Sequence, residues 1–577
     1  MSARRGLGAL SAAWAIGAFV VVTLGLGIWG WLAHGYRLDE AAYRAVALFD
    51  VASYAYQSHP GDADWRFLVG RWTALIAAFG AAIFAIGAVL RERGAQAAAR
   101  LMRQEVIVIG GDGVAAKAFE AARRAGEGVA LIRRGKSVVW LGAPSIAARS
   151  LRSIALPWPP DDHVATVIAY ARGADHILLA EDDDADALVL ARAARAAAPN
   201  AFITVLMRDA RLAEDAAATF NEPGTRILSV ASVSARALII AHPPFLIAKD
   251  LGHPRIHALI VGFGQTGQAI ARELIVNCRT TFLGLPRITI VDPNAKALEG
   301  VLRVRAPEVD ACAEFSFIEG AIGAQGVSPD FAELGREIGQ AGPVTAAYVC
   351  LHADSAALST AGMLQSLLRA ANVAPPAIFV RLRDEDTLPR SAGALGGLYA
   401  LRPFGDLDSV IGASEFLSDN PDSAARGVLD AYRAALPPER RFDPANHSAR
   451  PWDQLDESFR QSNRDAVAHI PAKLASAGID PALWVGIAGP PRLGPETQLY
   501  ADDKELERLA ELEHDRWCAQ RRMEGWRHTD VPAKDPFRRL HPELGPFNHL
   551  TEETKMYDRA IVRQTALTCW GPDESEA

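Results

Sequence analysis

Three glycines and one acid are the residues of this 577-residue chain best placed to do chemistry. Gly262, Gly264 and Gly267 stand in the spacing G-x-G-x-x-G within RIHALIVGFGQTGQAIARELI, and Asp292 closes the next apolar run, RITIVD. Glycines so spaced let a backbone approach a pyrophosphate seated on a helix N-terminus, and an acid ending the second strand accepts ribose hydroxyls. The ligand they suit is NAD or another adenine nucleotide. A partial copy lies upstream in EVIVIGGDGVAAKAFEAARRAGEGVALIRRG, where Gly111 and Gly113 form the turn and Ala116 takes the third place. Its second strand ends in Arg133 and Arg134 where an acid is expected. Two readings follow: an altered ligand carrying an extra phosphate, or a degenerate structural copy.

A second group of chemically able side chains lies in LAELEHDRWCAQRRMEGW. Helical spacing from Asp503 to about Glu524 places Leu506, Ala510, His514, Trp517 and Arg521 on one stripe, so a His and an Arg share an apolar face. Gly525 stands where a left-handed cap ends the helix, and Trp526 folds back onto it. The buried His and Arg need partners, either carboxylates such as Glu513 and Asp558 or an anionic ligand. His514, Trp517, Arg521 and Trp526 are therefore candidate ligand-binding residues, able to stack on and pair with a nucleotide-like group. The other reading of the tryptophans is a plain core. No catalytic or metal site is expected. The chain holds no Ser-His-Asp pattern, P-loop or H-E-x-x-H, and Cys278, Cys312, Cys350, Cys518 and Cys569 show no C-x-x-C spacing.

Both glycine turns sit between an apolar strand and an Ala-rich helix, the opening of a Rossmann unit. The repetition continues downstream. The stretch from Ala174, ADHILLAEDDDADALVLARAARAAAPNAFITVLMRDARL, parallels the one from Thr345, TAAYVCLHADSAALSTAGMLQSLLRAANVAPPAIFVRLRDEDTL. Each reads strand, acidic loop, amphipathic helix, strand, Arg-Asp. Asp182, Asp183 and Asp184 fill the first loop and Asp354 the second.

Ahead of these units, residues Gly6 to Ala33 and Trp72 to Leu90 carry no charge over 28 and 19 positions. At ~1.5 Å per residue each run matches a hydrocarbon core of about 30 Å. Arg4 and Arg5 precede the first run, and Arg91, Arg93, Arg100 and Arg103 follow the second. Trp29, Trp31, Trp65 and Trp72 fall toward the intervening loop. A multi-pass inner-membrane hairpin with both termini cytoplasmic follows. Between the spans, Ala41 to Ala55 is able to form a short re-entrant helix, the layout of a two-helix pore module; an external amphipathic loop is the alternative. The filter position, Val51 to Tyr56, has no glycine, so potassium selectivity is not read from it. The net charge of −8 excludes a general nucleic-acid binder.

Taken together, the tandem units over about Glu105 to Arg402 resemble the NAD-binding domains of the regulators of potassium conductance, the RCK or TrkA-type family. That resemblance implies nucleotide or ion binding at the C-terminal ends of the strands, coupled to a membrane pore. It assigns the nucleotide to Gly262, Gly264, Gly267 and Asp292, with Asp354 near the adenosine half and Gly111 and Gly113 as the first unit's equivalents. The terminal motifs L-A-E-x-x-H-D-x-W, R-x-x-x-G-W, H-P-x-L and K-x-x-D-R resemble the Ryr repeat, a small helical interaction module.

The expected architecture is multi-domain. It comprises a transmembrane hairpin and linker over 1–104 with spans near 8–33 and 70–90, two α/β Rossmann-like doubly wound domains over 105–247 and 248–436, and a mainly α-helical Ryr-containing region over 437–577 with its core near 500–570. The expected function is a nucleotide-responsive ion channel or ion-transport regulator, a homo-oligomer (dimer or tetramer) whose partners are the bilayer, a cytosolic nucleotide and monovalent cations. The rival is a non-conducting membrane-tethered sensor acting through the Ryr module. An NAD-dependent oxidoreductase comes third, because the chain after residue 402 supplies no acid–base pairing for hydride transfer.

Overall fold

The structure is a computed structural model describing residues 2–49, 64–101, 106–111, 113–127, 138–141, 153–156, 163–220, 222–323, 326–328, 331–373, 376–383, 401–413, 417–418, 422–483 and 499–570. Two compact units emerge, the first ending at Met102 and the second holding nearly all the rest.

The first unit contains α1 (Ser2–Ala33), α2 (Leu38–Val46) with a 3-10 turn at Ala47–Phe49, and α3 (Trp65–Leu101). Within α1 and α3, Ile16–Ala33 and Trp65–Ile83 are long and apolar enough to cross a membrane. Small residues let the helices close. Thr23 Oγ1 and Thr73 Oγ1, both buried, share a hydrogen bond of 2.8 Å between α1 and α3, a neighbourly pairing suited to helices in an apolar medium. A Cβ on Gly30 would lie 2.7 Å from the Phe67 ring, and one on Gly27 would lie 2.8 Å from the Ala45 Cβ. The second contact fixes the path of α2. Starting at Leu38, just past the end of α1, the helix has returned by Ala45 to the level of Gly27, about 9 Å back along α1 at 1.5 Å per residue. Ala41 and Ala45 are fully buried on the face it turns to α1. Over the described part of the loop the chain thus folds back along α1, while Val51 to Tyr56 lies outside the described residues. Trp31 packs on Phe67 and Tyr36, and Trp29 meets Trp65 edge-on, gathering the aromatic residues at the loop end of the hairpin.

Gly27→Val is expected to lower stability by about 2 kcal/mol, as overpacking a close backbone contact does, read as a shift in thermal unfolding in detergent. Gly25→Val is the control, since a Cβ there meets nothing within 4 Å. Equal midpoints for the two variants would remove the close packing of α2.

In the second unit, twelve strands form two parallel six-stranded sheets. The first sheet holds β1 (Val106–Ile109), β2 (Val138–Leu141), β3 (Ser153–Leu156), β4 (His176–Leu179), β5 (Phe202–Met207) and β6 (Thr225–Ser229), ordered β3-β2-β1-β4-β5-β6. The second holds β7 (Arg255–Val261), β8 (Gly284–Asp292) and β9 (Glu314–Glu319). After a small hairpin of β10 (Ala321–Gly323) and β11 (Gly326–Ser328) it adds β12 (Ala346–Val349), β13 (Ala377–Arg381) and β14 (Leu401–Phe404). Its order is β14-β13-β12-β7-β8-β9, the same topology. This is the doubly wound topology in which the strand order, not the strand direction, reverses at the crevice beside the first strand. VIVI, HILL and AAYV, the β1, β4 and β12 segments, are buried at every position, as a parallel strand covered on both faces requires.

The helices follow the strands: α4 (Gly113–Glu127), α5 (His163–Ala171), α6 (Asp184–Ala197), α7 (Ala210–Phe220), α8 (Val230–Ala241), α9 (Pro244–Asp250), α10 (Gln265–Asn277), α11 (Ala295–Arg305), α12 (Phe331–Gln340) and α13 (Asp354–Ala370). Val230–Asp250 is a third stretch apolar enough to span a bilayer. Its Ala235, Leu238, Phe245 and Ala248 instead enter the core made with β7 and α10 of the second sheet, so it joins the two Rossmann units.

The tail of the second unit divides by packing. α14 (Leu407–Ala413) returns to the first sheet's core through Ile411, and Asp408 pairs with Lys117 of α4 at 2.7 Å. α15 (Ser423–Ala435) turns Ala425, Val428 and Leu429 into the C-terminal helical core, although sequence order placed both helices with the second sheet. That core is completed by α16 (Glu457–Ala468), α17 (Ile470–Ser476), α18 (Asp503–Met523) and α19 (Glu552–Trp570).

Candidate functional site

At the C-terminal end of β7 each glycine of the turn does a different job. Gly262 has φ +90, open to glycine at little cost, and a Cβ there would press on the Leu351 side chain at 3.0 Å. Gly267 lets α10 lie against the strand end: its Cβ would come 2.3 Å from the Gly262 carbonyl oxygen. Gly264 is the N-cap of α10, and a Cβ there would meet nothing within 4 Å.

Asp292 ends β8 and faces this turn. Its Oδ2 accepts the Phe263 N–H at 2.8 Å and its Oδ1 the Asn294 N–H at 2.8 Å. Phe263 is buried edge-on to Phe317, and the Gln265 side chain is held aside by the Ala210 N–H of α7 at 2.8 Å. The glycine turn of the second Rossmann unit therefore touches the first Rossmann unit directly.

The first unit's turn is displaced by one residue from the sequence reading. Gly110, φ +140, follows β1 directly, and its Cβ would meet the Ala180 carbonyl at 2.0 Å and the Ala115 Cβ at 3.2 Å. Gly262 meets Cys350 in the same way, and Ala180 N–H and Cys350 N–H bond the last residues of β1 and β7 alike. Gly110 thus holds the place of Gly262, and Ala115 that of Gly267. Gly111 and Gly113 are one residue out of step, with Gly113 already opening α4. The second glycine place falls to Asp112 in the sequence, which lies outside the described residues, as do Arg133 and Arg134.

The acidic loops are occupied by the fold itself. Asp183 caps α6, accepting from the Ala185 and Asp186 N–H groups. Asp184 accepts the Arg208 and Asp209 N–H groups at 2.9 and 2.8 Å, and Asp182 pairs with the Arg208 guanidinium. Asp354 accepts the Arg383 N–H at 3.2 Å. The repeated strand, acid and Arg-Asp pattern is thus a clamp tying a helix start to the end of the next strand. Among the described residues, no group of three metal-ligating side chains comes together.

In the C-terminal region the structure gathers the four residues singled out by spacing. His514 stacks near Trp517 at 5.7 Å, the His541 ring lies between Trp517 and Trp526, and Arg521 sits over Trp517 and Phe459. His514 Nδ1 is 3.5 Å from Asp558 Oδ2, the internal partner expected, whereas Arg521 pairs with Glu524 at 2.8 Å and with Ser458. Burial opposes a charge on His514, but Asp558 and Cys518 together outweigh it and raise its pKa to about 11. Sequence spacing missed Phe459, Lys534 and His541. Lys534 Nζ lies 4.8 Å over Trp526, and burial followed by the nearby Lys534 and Arg521 charges pushes His541 down to about 3. These three sit on loops or another helix, where a single-helix stripe carries no signal. Gly525, φ +86, ends the helix as the left-handed cap required.

Residues 497–571 match the RyR domain. No curated protein matches the chain. Among solved structures, GsuK bound to ADP is 14% identical over 71% of this chain and 96% of its own, with a TM-score of 0.33. The GsuK channel bound to NAD is 11% identical, covering 72% and 83%, with a TM-score of 0.34. The GsuK RCK domain is 12% identical, covering 56% and 79%, with a TM-score of 0.33. The fold itself rests on the two strand orders.

The RyR domain docks on the helices beside the glycine turn. A Cβ on Gly525 would lie 2.6 Å from the Arg305 carbonyl of α11, and Arg522 pairs with Glu308 at 3.2 Å. From α10, Arg272 reaches Asp465 of α16 at 2.7 Å; Arg236 of α8 joins at 2.5 Å and also holds Glu273 of α10. Beneath this lies a fully enclosed set, Glu513 with Lys473 at 2.7 Å, Arg516 at 2.8 Å and His469 at 3.8 Å. Burial pushes His469 down to about 4 despite Glu513 beside it. Below pH 6.5 the unfolded His469 takes a proton that the folded one refuses, so stability falls with acidification from about 6.5 to about 4. His469 contributes up to ~1.4 kcal/mol per pH unit to that slope, and a midpoint series across the range is expected to show the slope reduced by that amount in His469→Gln, with the His541 contribution remaining.

Proposed function

We propose that the chain is a membrane-bound, nucleotide-responsive ion channel or transport regulator, with a cytosolic adenine nucleotide held at the second glycine turn. The observation that carries this reading is the unobstructed N-terminus of α10 at Gly264, with Asp292 ending the neighbouring strand. Each Asp292 oxygen accepts one backbone bond and keeps a lone pair for a ribose hydroxyl. The pyrophosphate sits on the α10 amides, and Asp354 lies toward the adenosine half. The out-of-register first turn is read as a structural copy.

Support for a conducting role comes from α2, which folds back to the depth of Gly27 as the pore helix of a two-helix module does. α3 runs unbroken from Trp65 to Leu101, so the basic stretch after the second span is helical and suited to transmit motion. Nucleotide must bind two conformations unequally to bias them. In the RyR domain, Trp517, Trp526, Arg521 and His514 form a secondary ligand surface in this reading.

Calorimetry on the purified protein with NAD, NADH, ADP, ATP and AMP tests the site. Asp292→Ala is expected to weaken the bound nucleotide by about tenfold, the loss of one to two hydrogen bonds to a charged group; unchanged affinity removes the assignment. Ion flux into liposomes containing the protein is expected to change with that nucleotide. Absence of flux with every nucleotide leaves the membrane-tethered sensor as the function.

A further inference from the structure

At the opposite end of the second sheet from the glycine turn lies a cleft of about 340 Å³. Its floor is a transverse row on three adjacent strands, His257 of β7, Arg287 of β8 and Glu314 of β9, set side by side by the strand register. Arg255 and His253 form one wall, and Ala341 to Pro343, ahead of β12, form the other. Two guanidiniums converge on one carboxylate: Arg255 Nη1 reaches Glu314 at 2.5 Å and Arg287 Nη2 reaches it at 3.1 Å. Arg287 Nη1 crosses the cleft to the Ala341 carbonyl at 2.6 Å.

The row is built rather than incidental. His257 is buried, gives its Nδ1 hydrogen to the Gly342 carbonyl at 3.1 Å and accepts from Thr289 Oγ1 at Nε2, 2.9 Å away. Burial disfavours a charge on this imidazole, and its bond to Gly342 pins the loop that walls the cleft. His253 Nδ1 is held by the buried Thr345 hydroxyl at 2.9 Å. The charge balance is then two guanidiniums against Glu314, a surplus of one positive charge. Each guanidinium carries five N–H donors, and the bonds named here take three between them. The remaining donors line a space open to solvent, in the planar fork that suits an oxyanion.

We propose that this cleft is a second ligand site, binding a small oxyanion, a phosphate or carboxylate group, between Arg255 and Arg287, with Glu314 as the internal carboxylate that the ligand competes against. The site is separate from the glycine turn and does not depend on a nucleotide binding there. Its expected ligand is small, because the cleft has room for a sugar-phosphate or dicarboxylate and not for a dinucleotide laid along the sheet.

Calorimetric titration of the full-length protein with inorganic pyrophosphate and, separately, succinate tests the site and tells phosphate from carboxylate. Saturable binding is expected for one of them, weakened at least tenfold in Arg287→Ala and in Arg255→Ala. Glu314→Gln removes a competing charge and is expected to tighten binding about tenfold, a gain that no folding defect produces. Repeating the titration in Gly264→Val separates this cleft from the glycine turn, and undiminished binding is expected. The proposal is overturned if neither anion binds wild type or Glu314→Gln, if the arginine variants bind as wild type does, or if Gly264→Val removes the binding.

Discussion

Glu513→Ala is expected to lower the stability of the protein by about 3–5 kcal/mol, the range for removing one partner of a buried charge set. Glu513 is the carboxylate between Lys473 and Arg516, and all three are almost wholly enclosed. Burial alone would favour the protonated acid, yet Arg516 and Lys473 hold its pKa well below the ordinary carboxylate range. Without Glu513 two cations remain buried beside each other, with Gln520 as a neutral acceptor for Arg516. The C-terminal helices should then unfold or undock first. Chemical denaturation followed by tryptophan fluorescence reads this directly, since Trp452, Trp517 and Trp526 lie in that region. Glu513→Gln keeps the shape and loses only the charge. If both variants unfold within 1 kcal/mol of the unaltered protein, a loss typical of an exposed ion pair, the enclosed set has no part in holding the region together.

The weight of Glu513 was only half visible in the sequence. Helical periodicity found the stripe Leu506, Ala510, His514, Trp517 and Arg521, and it found Glu513 as a possible partner. Periodicity presumes that a helix buries one face. α18 buries a wider face than that stripe, Leu509, Leu512, Glu513, Arg516 and Ala519 included, because the rest of the C-terminal helices and the second Rossmann unit cover it from different sides, and it leaves Lys504, Arg508, Glu511 and Asp515 exposed. Charged residues thus stand on both the exposed and the buried faces, so residue type does not tell Glu513 and Arg516 from the solvated stripe, and Lys473 and His469, the partners of Glu513, lie some forty residues away. The same limit set the first glycine turn one residue late. G-x-G fits Gly111 and Gly113 as a string, but what fixes the register is the Ala180 carbonyl against Gly110, a contact from another strand. The second turn was legible because its information is local: a strand, three glycines, a helix and an acid within one continuous stretch. The hairpin was equally legible, as its two charge-free runs need no partner to be recognised. The return of α2 depended on Gly27 lying opposite Ala45, which the intervening residues alone did not announce.

Valine at Gly264 and at Gly267 should separate binding from folding. A side chain at Gly264 enters open space, so Gly264→Val is expected to leave unfolding within about 0.5 kcal/mol of the unaltered protein, the usual range for a substitution without close contacts. The same side chain occupies the space over the α10 amides that a pyrophosphate needs, and nucleotide affinity is expected to fall on the order of a hundredfold, about 2.7 kcal/mol. At Gly267 the sequence of effects reverses. A Cβ 2.3 Å from the Gly262 carbonyl oxygen forces the helix off the strand end, because the atom it strikes is backbone and not the end of a flexible side chain, and the Ile260 side chain stands 3.1 Å away as well. Gly267→Val is expected to cost at least about 3 kcal/mol in stability, the upper range for overpacking, and to lose binding as a consequence. Calorimetry and thermal unfolding on both variants, with the nucleotide that binds the unaltered protein, decide the matter. A Gly264→Val protein that folds normally and binds normally would place the nucleotide elsewhere, and the coupling of that turn to the membrane helices would fall with it. Gln265, one residue on, also accepts from Ala210 of the first Rossmann unit, so under the proposed function a ligand that shifts the start of α10 would move the two Rossmann units against each other. Gly264→Val, with its fold unaltered, is then the variant in which the nucleotide-dependent flux of the proposed function is expected to vanish, measured in the same liposomes.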